Sequence, residues 1–225
     1  MARDLVIGVD LGGTNVRSAV VGDGGVISYH AKLSVSGSTS ADEVIDHIVA
    51  CVGQTMASCG RERVRGVGVG TPGLIIEETG TIVFAPNVPG WTDLPLKSLL
   101  EQRLDLPVMI ENDANAAAIG EHWVGGGAGY KHLVCITLGT GVGGAIIINN
   151  QVWRGANGAG GEVGHTTVIE NGVLCGCGAP GCLEAYASAP AIARQAREAL
   201  HTDEESVLRT MCGGDPGQIT SAMVS

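Results

Sequence analysis

Short apolar runs separated by glycine turns set the pattern of the N-terminal part of the chain. In the segment LVIGVDLGGTNVRSAVV, two apolar runs flank Gly12 and Gly13. This pattern predicts a strand at 5–10, a tight turn and a returning strand at 16–21. A similar unit, LVCITLGTGVGGAIII, begins at Leu133. The repeated design predicts two related α/β lobes, each opening on a glycine loop.

Strand and helix patterns alternate between these two units. The apolar positions predict a helix at about 41–58, a strand at 64–69, a helix at 94–104, a short strand at 108–110 and a helix from Ala114. Helices are also predicted at 190–200 and 203–210, and an apolar-periodic segment begins at 218. The predicted lobes are residues 1–115 and 116–225, and ligands are expected in the cleft between them.

The stretch 133–153 carries no formal charge and is long enough to span a bilayer. Glycines and a pair of asparagines interrupt it, which favours strand, glycine turn and strand over a membrane helix. Gly139, Gly141 and Gly144 also match the G-x-G-x-x-G motif. That dinucleotide-binding motif must open a helix, whereas the residues that follow here are typical of a strand. We therefore reject both a membrane helix and a dinucleotide-binding loop for this stretch.

Composition narrows the class of protein. The chain has 225 residues and a formal net charge of −10, with no basic patch, which argues against binding to nucleic acid or to an anionic membrane. A hydrophobic content of 44% is ample for a core, while 36 glycines predict many loops. The seven cysteines are odd in number and no signal peptide follows Met1, so we expect a reducing compartment, the cytoplasm.

One short segment, GEVGHTTVIENGVLCGCGAPGCLE, places a histidine and three cysteines close together and ends at Glu184. His165, Cys175, Cys177 and Cys182 form a Cys₃His set, which typically holds structural zinc and leaves no ligand position for water. The glycines and proline between the cysteines allow the sharp turns that a common metal centre requires. The alternative is a glycine-rich loop of reduced cysteines.

The two glycine turns and one carboxylate are further candidates for binding and catalysis. Successive backbone N–H groups without Cβ atoms can cradle phosphate, although a tight hairpin explains each turn equally well on its own. Asp113 follows the strand PVMIEN, at the strand end where α/β sheets place ligands. An aspartate directly before an alanine-rich helix is also a good N-cap, and its position alone favours the cap.

Several motifs together resemble the ROK family of sugar kinases and sugar-responsive repressors. In chain order they are DLGGTN from Asp10, TPG from Thr71, APNVPGW from Ala85, ENDANAAA from Glu111, TLGTGVGG from Thr137, GEVGH from Gly161 and CGCGAPGCLEA from Cys175. Several motifs in one order are far more specific than any single one. The resemblance implies an α/β, two-lobed actin/hexokinase-like (ribonuclease H-like) ATPase fold.

The resemblance also implies the reaction and the residues that carry it. We expect ATP- and Mg²⁺-dependent phosphorylation of the 6-hydroxyl of a hexose, most simply glucose. Asp113 is then the base that takes the proton of the attacking hydroxyl. The implied sugar contacts are Asn87, Asn112, Glu162, His165 and Glu184, with His165 also binding structural zinc. The implied nucleotide and Mg²⁺ contacts are Asp10, Gly12, Gly13, Thr14, Arg17, Gly139, Thr140 and Gly141.

Several alternatives stay open at this point. Kinases for N-acetylmannosamine, N-acetylglucosamine, fructose or allose share these motifs, and related enzymes can use polyphosphate as donor. A repressor of the same family would carry a helix-turn-helix domain before the first strand, and only residues 1–4 precede it here. A sugar-binding module without catalysis is a third possibility, because family kinases continue past Ser225 with a segment that packs on the adenosine. We expect an incomplete second lobe, and a homodimer is the family expectation.

Overall fold

The computed structural model describes residues 4–85, 88 and 90–225. Contacts divide the chain into two compact units, and each unit is made of two segments. Unit 1 consists of Met1–Leu133 and Ile146–Gly160, and unit 2 consists of Val134–Ala145 and Gly161–Ser225. The lobe boundary that the sequence indicates, after residue 115, differs from the boundaries of these units and stays a prediction.

Strands and helices alternate along the first half of the chain, and helices follow in the second half. The strands are β1 (Leu5–Leu11), β2 (Asn15–Val21), β3 (Ile27–Ser34), β4 (Val64–Thr71), β5 (Leu74–Ile76), β6 (Thr81–Phe84), β7 (Thr92–Leu94), β8 (Val108–Asn112), β9 (Leu133–Leu138), β10 (Val142–Ile148) and β11 (Gln151–Val152). The helices are α1 (Ala41–Cys59), α2 (Leu96–Leu104), α3 (Asp113–Val124), α4 (Glu184–Ala187), α5 (Ala189–Ala199), α6 (Leu208–Met211) and α7 (Ser221–Val224).

A five-stranded sheet in the order β3-β2-β1-β4-β8 forms the centre of unit 1. Strands β3, β2 and β1 pair antiparallel, whereas β1, β4 and β8 run parallel. Asp10, Gly70 and Glu111 therefore lie in one row across the parallel strands, near their carboxyl ends. Gly70 has no Cβ, and one placed there would lie 3.4 Å from Ala116 and 3.7 Å from the Cα of Asp113. The start of α3 thus packs at ordinary van der Waals distance from this row of the sheet.

Helix α1 supplies much of the core that covers this sheet. Ser40 caps the helix by accepting a hydrogen bond from the Glu43 N–H at 3.3 Å, and the Glu43 side chain accepts from the Thr39 N–H at 2.7 Å. Helical spacing places one apolar face inward, and its buried members are Val44, Ile45, Ile48, Cys51, Val52 and Thr55. The helix ends at Cys59, and the following Gly60 has a φ of 85°, which suits a residue without a side chain.

Unit 2 contains parts of β9 and β10, a long loop and the four C-terminal helices. Strands β9, β10 and β11 form a three-stranded sheet in the order β11-β10-β9, and the turn at residues 139–141 joins β9 to β10. Ser188 caps α5 by accepting from the Ala191 N–H at 3.4 Å. A small cluster of Leu200, Cys212 and Ile219 packs the C-terminal helices together.

Most of the predicted elements are confirmed, and one is too long. The predicted strands and helices up to residue 124 match β1, β2, α1, β4, α2, β8 and α3. The uncharged stretch 133–153 forms strands, as predicted, and none of the helices in the described residues is long and apolar enough to cross a membrane. The predicted helix at 203–210 is wrong, because only Leu208–Met211 is helical there. The edge strand β3 and the small antiparallel sheet β5-β6-β7 were not predicted.

The position of α1 gives a test of the core. Ile48 is completely buried, whereas 59% of Ile27 is exposed. Ile48→Ala should lower the free energy of unfolding by about 2–5 kcal/mol, because it leaves a cavity in a packed core. The same change at Ile27 should cost about 1 kcal/mol or less. Urea unfolding followed by circular dichroism measures both, and equal losses would contradict the assignment of α1 to the core.

Candidate functional site

The junction between β8 and α3 carries the candidate base. Asn112, the last residue of β8, caps α3: its side-chain oxygen accepts from the N–H groups of Ala114 and Asn115 at 3.0 and 3.1 Å. Asp113 is the first helical residue, so the interpretation of Asp113 as the N-cap is wrong. Its Oδ1 accepts one hydrogen bond, from the Ala114 N–H at 2.8 Å. The cap on Asn112 leaves most of the Asp113 carboxylate available for chemistry.

The electrostatic surroundings of Asp113 favour proton uptake. Although the residue retains an exposed surface, burial of its carboxyl group raises the pKa of Asp113 above the ordinary value. The hydrogen bond from Ala114 opposes this increase, and the nearby carboxylate of Asp10 adds to it. A carboxylate with a raised pKa is better suited to accept a proton from a hydroxyl group than an ordinary aspartate.

Asp10 and Arg17 face each other across the first hairpin. The two residues are register partners in β1 and β2, and Arg17 Nη1 lies 2.9 Å from Asp10 Oδ2. Both side chains are more than half exposed, so the pair contributes little to stability. In unit 1 the fold therefore brings together Asp10, Arg17, Asn112 and Asp113, four of the residues that the sequence singled out.

Two glycines at the predicted phosphate turns are not required by packing. A Cβ placed on Gly13, in the turn after β1, or on Gly139, in the turn after β9, would meet no heavy atom within 4 Å. Both residues are exposed, as are the neighbouring Thr14 and Thr140. Open space over a backbone without Cβ atoms is what close approach of an anionic ligand needs. The geometry thus fits a phosphate contact at each turn.

The second turn also contacts a predicted sugar ligand. Glu184 Oε2 accepts a hydrogen bond from the Val142 N–H at 3.0 Å. A Cβ on Gly141 would lie 2.5 Å from the same oxygen, so a side chain at this position would displace the carboxylate. Glu184 Oε1 lies 3.5 Å from Cys175 Sγ. The half-buried Glu184 therefore joins the turn to the cysteine loop within unit 2.

The histidine and the three cysteines of that loop converge. The ligand atoms of His165, Cys175, Cys177 and Cys182 all lie within 4.8 Å of one another. Cys177 Sγ is 3.7 Å from Cys182 Sγ, and Cys175 Sγ is 3.8 Å from His165 Nδ1. Thiolates bound to one tetrahedral zinc ion at about 2.3 Å lie about 3.8 Å apart. The four residues therefore form a group that could hold a metal ion of this kind.

The thiols of this group differ in acidity. Burial raises the pKa of Cys175 to about 12 and also raises the pKa of Cys182. A backbone hydrogen bond from Ala179 lowers the pKa of Cys177.

Outside the ligand set, the Tyr186 hydroxyl accepts a hydrogen bond from the Val173 N–H at 2.7 Å and supports the start of the loop. The loop thus keeps its shape through backbone contacts as well as through its cysteines.

The remaining predicted sugar contacts are Glu162, Asn87 and Asn112. Glu162 is exposed and directly precedes the short helical turn that carries His165. Asn87 lies outside the described residues. The Nδ2 group of Asn112 is 3.4 Å from the Gly73 carbonyl oxygen, which occupies one of its two donor positions.

Sequence reasoning missed two charged residues beside the candidate base. Arg154 and Glu111 form a bidentate ion pair at 2.8 and 2.6 Å, and Asn115 Nδ2 donates to Glu111 at 3.1 Å. Two signals could have revealed the pair. Glu111 is a charged residue at the end of a buried strand, where a partner is needed, and Arg154 is the first charge after a long uncharged stretch.

Comparison with known proteins identifies the group to which the chain is similar. The model of the ROK family matches residues 6–218. The glucokinase of Streptomyces coelicolor is 42% identical over 224 residues, which cover 98% of this chain and 68% of that enzyme. A xylose repressor of Caldicellulosiruptor bescii is 46% identical over 127 residues, which cover 56% of this chain and 32% of the repressor.

A solved structure agrees with this match over nearly the whole chain. The ROK family glucokinase of Streptomyces griseus, in complex with glucose and AMPPNP, has a TM-score of 0.85 and 41% identity. The match covers 98% of this chain and 69% of that one, so this chain spans about two thirds of the length of the glucokinases it resembles. The predicted α/β fold class, actin/hexokinase-like, is confirmed. The chain belongs to the ROK family.

Proposed function

We propose that this chain is a sugar kinase that transfers the γ-phosphoryl group of ATP to the 6-hydroxyl of glucose, forming glucose 6-phosphate. The observation that carries the proposal is the position of Asp113. It stands at the common edge of three parallel strands, its helix is capped by Asn112, and Asp10 lies close enough to influence its pKa. The similarity to glucokinases over nearly the whole chain supports the choice of reaction.

In the proposed step, Asp113 removes the proton from the sugar hydroxyl as that oxygen attacks the γ-phosphorus. The new P–O bond forms while the bond to the bridging oxygen of ADP breaks, and ADP leaves with that electron pair. The proton resides on the Asp113 carboxyl group until it passes to solvent. General-base catalysis of this kind contributes typically 10²- to 10⁴-fold to the rate.

The first hairpin supplies the charges that suit the nucleotide. Asp10 is the residue that would hold Mg²⁺ or its water shell, and the metal would neutralise charge on the transferring phosphate. Arg17 pairs with Asp10 at 2.9 Å and can turn its guanidinium toward a phosphate, because half of its side chain is exposed. The turn between β1 and β2 is formed by Gly12, Gly13 and Thr14, and it is the first proposed phosphate contact. The turn of Gly139, Thr140 and Gly141 is the second proposed phosphate contact.

The proposed sugar contacts are Asn112, at the end of β8, and Glu162, His165 and Glu184, around the cysteine loop. We propose structural zinc bound by His165, Cys175, Cys177 and Cys182, since their donor atoms are soft and suitably spaced. Zinc would fix the His165 imidazole and the loop between Glu162 and Glu184, and would take no part in the transfer itself. The reducing cytoplasm is the proposed compartment.

A second candidate function is sugar binding without catalysis. The observation that favours it is the similarity to a xylose repressor over 127 residues of this chain. The first candidate function has variations: the acceptor could be another hexose or an N-acetylated hexosamine, and the donor could be polyphosphate. A panel of sugars assayed with ATP and with polyphosphate separates these possibilities, since a binding module would retain ligand without forming a phosphorylated product.

Substitution of the proposed base tests the function most directly. Asp113→Asn should reduce kcat about 10²- to 10⁴-fold, because the amide cannot accept the proton. Zinc content and glucose affinity, measured by mass spectrometry and calorimetry, should stay near the values of the unsubstituted chain. Asp105→Asn is the matched control: Asp105 is exposed and ends α2 in the left-handed region, which asparagine tolerates. Strong turnover by Asp113→Asn would contradict the assignment of Asp113 as the base.

The environment of Asp113 predicts a pH dependence. The base acts in its ionised form, so kcat/KM for glucose should fall as acidification protonates Asp113. Because the folded protein raises this pKa, the decline should begin above the ordinary aspartate value of about 3.9. A pH series of kcat/KM, which reports the pKa of the free enzyme, locates the acidic limb. A rate that stays constant down to the ordinary aspartate pKa would contradict the proposed role.

Removal of one cysteine tests the zinc proposal. Cys177→Ser should lose bound zinc and weaken glucose binding, because the loop that carries Glu162 and Glu184 loses its brace. Cys59→Ser, a half-buried thiol of α1, is the control that should keep both properties. Retention of stoichiometric zinc and of glucose affinity by Cys177→Ser would show that the cysteine cluster is incidental.

A further inference from the structure

Arg154 makes a network of ion pairs in unit 1. Its Nη1 and Nη2 atoms contact Glu111 Oε1 and Oε2 at 2.8 and 2.6 Å, and its Nε lies 2.6 Å from Glu77 Oε2. Only 25% of the Arg154 side chain and 19% of the Glu111 side chain are exposed, compared with 58% for Glu77. The bidentate geometry fixes the plane of the Glu111 carboxylate as well as its position.

Glu111 passes this constraint to the residues around the candidate base. Besides Arg154, its Oε1 accepts from the Asn112 N–H at 2.9 Å and from Asn115 Nδ2 at 3.1 Å. Asn112 in turn caps α3 through the N–H groups of Ala114 and Asn115. Asp113 lies between these anchored positions, so its backbone is held on both sides.

The charges of this network depend on each other. Although burial alone raises the pKa of Glu111, hydrogen bonds from Arg154 and Asn115 hold it below the ordinary value. The bond to Glu111 raises the pKa of Arg154. Without Arg154, Glu111 would be a half-buried carboxylate with no cation beside it, which favours rearrangement of its side chain. Such a rearrangement would remove the acceptor that holds Asn112 and Asn115.

We propose that Arg154 is a positioning residue for phosphoryl transfer, which acts through Glu111 to set the orientation of Asp113 at the start of α3. This inference rests on the proposed function, because it assumes that Asp113 is the base. The role differs from simple stabilisation: a misplaced base slows the chemical step without removing a group that contacts the sugar. Displacement of a reacting group by about 1 Å can cost about 10²-fold in rate.

The experiment compares four variants of the full chain with glucose, ATP and Mg²⁺. Arg154→Gln should lower kcat about 10- to 100-fold while KM for glucose changes less than about threefold. Arg154→Lys retains the charge without the bidentate geometry and should recover part of the loss. Glu77→Gln removes only the exposed partner and should remain within about twofold of the unsubstituted chain.

Arg103→Gln is the matched control for loss of a paired arginine. Arg103 contacts Asp42 and Asp46, joins α2 to α1 in the same unit, and makes no contact with the start of α3. Its loss should leave kcat within about twofold, and urea unfolding shows how far each arginine variant is destabilised. Equal losses of kcat in Arg103→Gln and Arg154→Gln would overturn the inference, because both would then reflect stability alone.

The outcomes separate this inference from the function on which it rests. Full turnover by Arg154→Gln, beside an inactive Asp113→Asn, would overturn the positioning role and leave the kinase assignment intact. An unsubstituted chain that phosphorylates no sugar would count against the proposed function itself. If Arg154→Gln does not fold, Arg154→Lys decides: a kcat equal to that of the unsubstituted chain would overturn the inference, and a reduced kcat with unchanged KM would support it.

Discussion

Parallel pairing of β1, β4 and β8 is the constraint on which the proposed chemistry depends. It brings the carboxyl ends of three strands to one edge, so that Asp10, Gly70 and Glu111 share a row although they are far apart in the chain. Helix α3 starts directly beside that edge, next to Gly70. The candidate base, a candidate metal ligand and the half-buried ion pair of Glu111 and Arg154 are therefore neighbours because of the strand order.

Division of tasks between neighbouring residues explains how the junction of β8 and α3 can be both stable and reactive. Asn112 satisfies the first N–H groups of the helix, and Glu111 binds Arg154. Asp113 accepts a hydrogen bond from the Ala114 N–H and has a raised pKa. In unit 2 a single residue, Glu184, contacts both the glycine turn and the cysteine loop. Residues that hold the backbone thus stand next to residues that are proposed to act on substrate.

Sequence reasoning succeeded where the relevant residues are close in the chain. The Cys₃His group was predicted because its members lie in one glycine-rich loop, and the main strands and helices were predicted from periodicity. It failed where the structure joins distant segments. Arg154, which follows the hairpin of β10 and β11, pairs with Glu111, although the two residues are 43 positions apart in the chain. Strand β3 was missed although its sequence, ISYHAKLS, alternates apolar and polar residues; it is an edge strand, and most of its residues are exposed. Asn112 and Asp113 are equally good caps by type, and only the end of β8 decides between them.

Formation of glucose 6-phosphate by this chain is the measurement that tests the central claim most directly. The zinc-loaded chain is incubated with glucose, Mg²⁺ and ATP, and the product is detected by a coupled dehydrogenase assay alongside the release of ADP. Equal amounts of glucose 6-phosphate and ADP are expected. Glucose binding without phosphoryl transfer would contradict it and would identify the chain as a sugar-binding module.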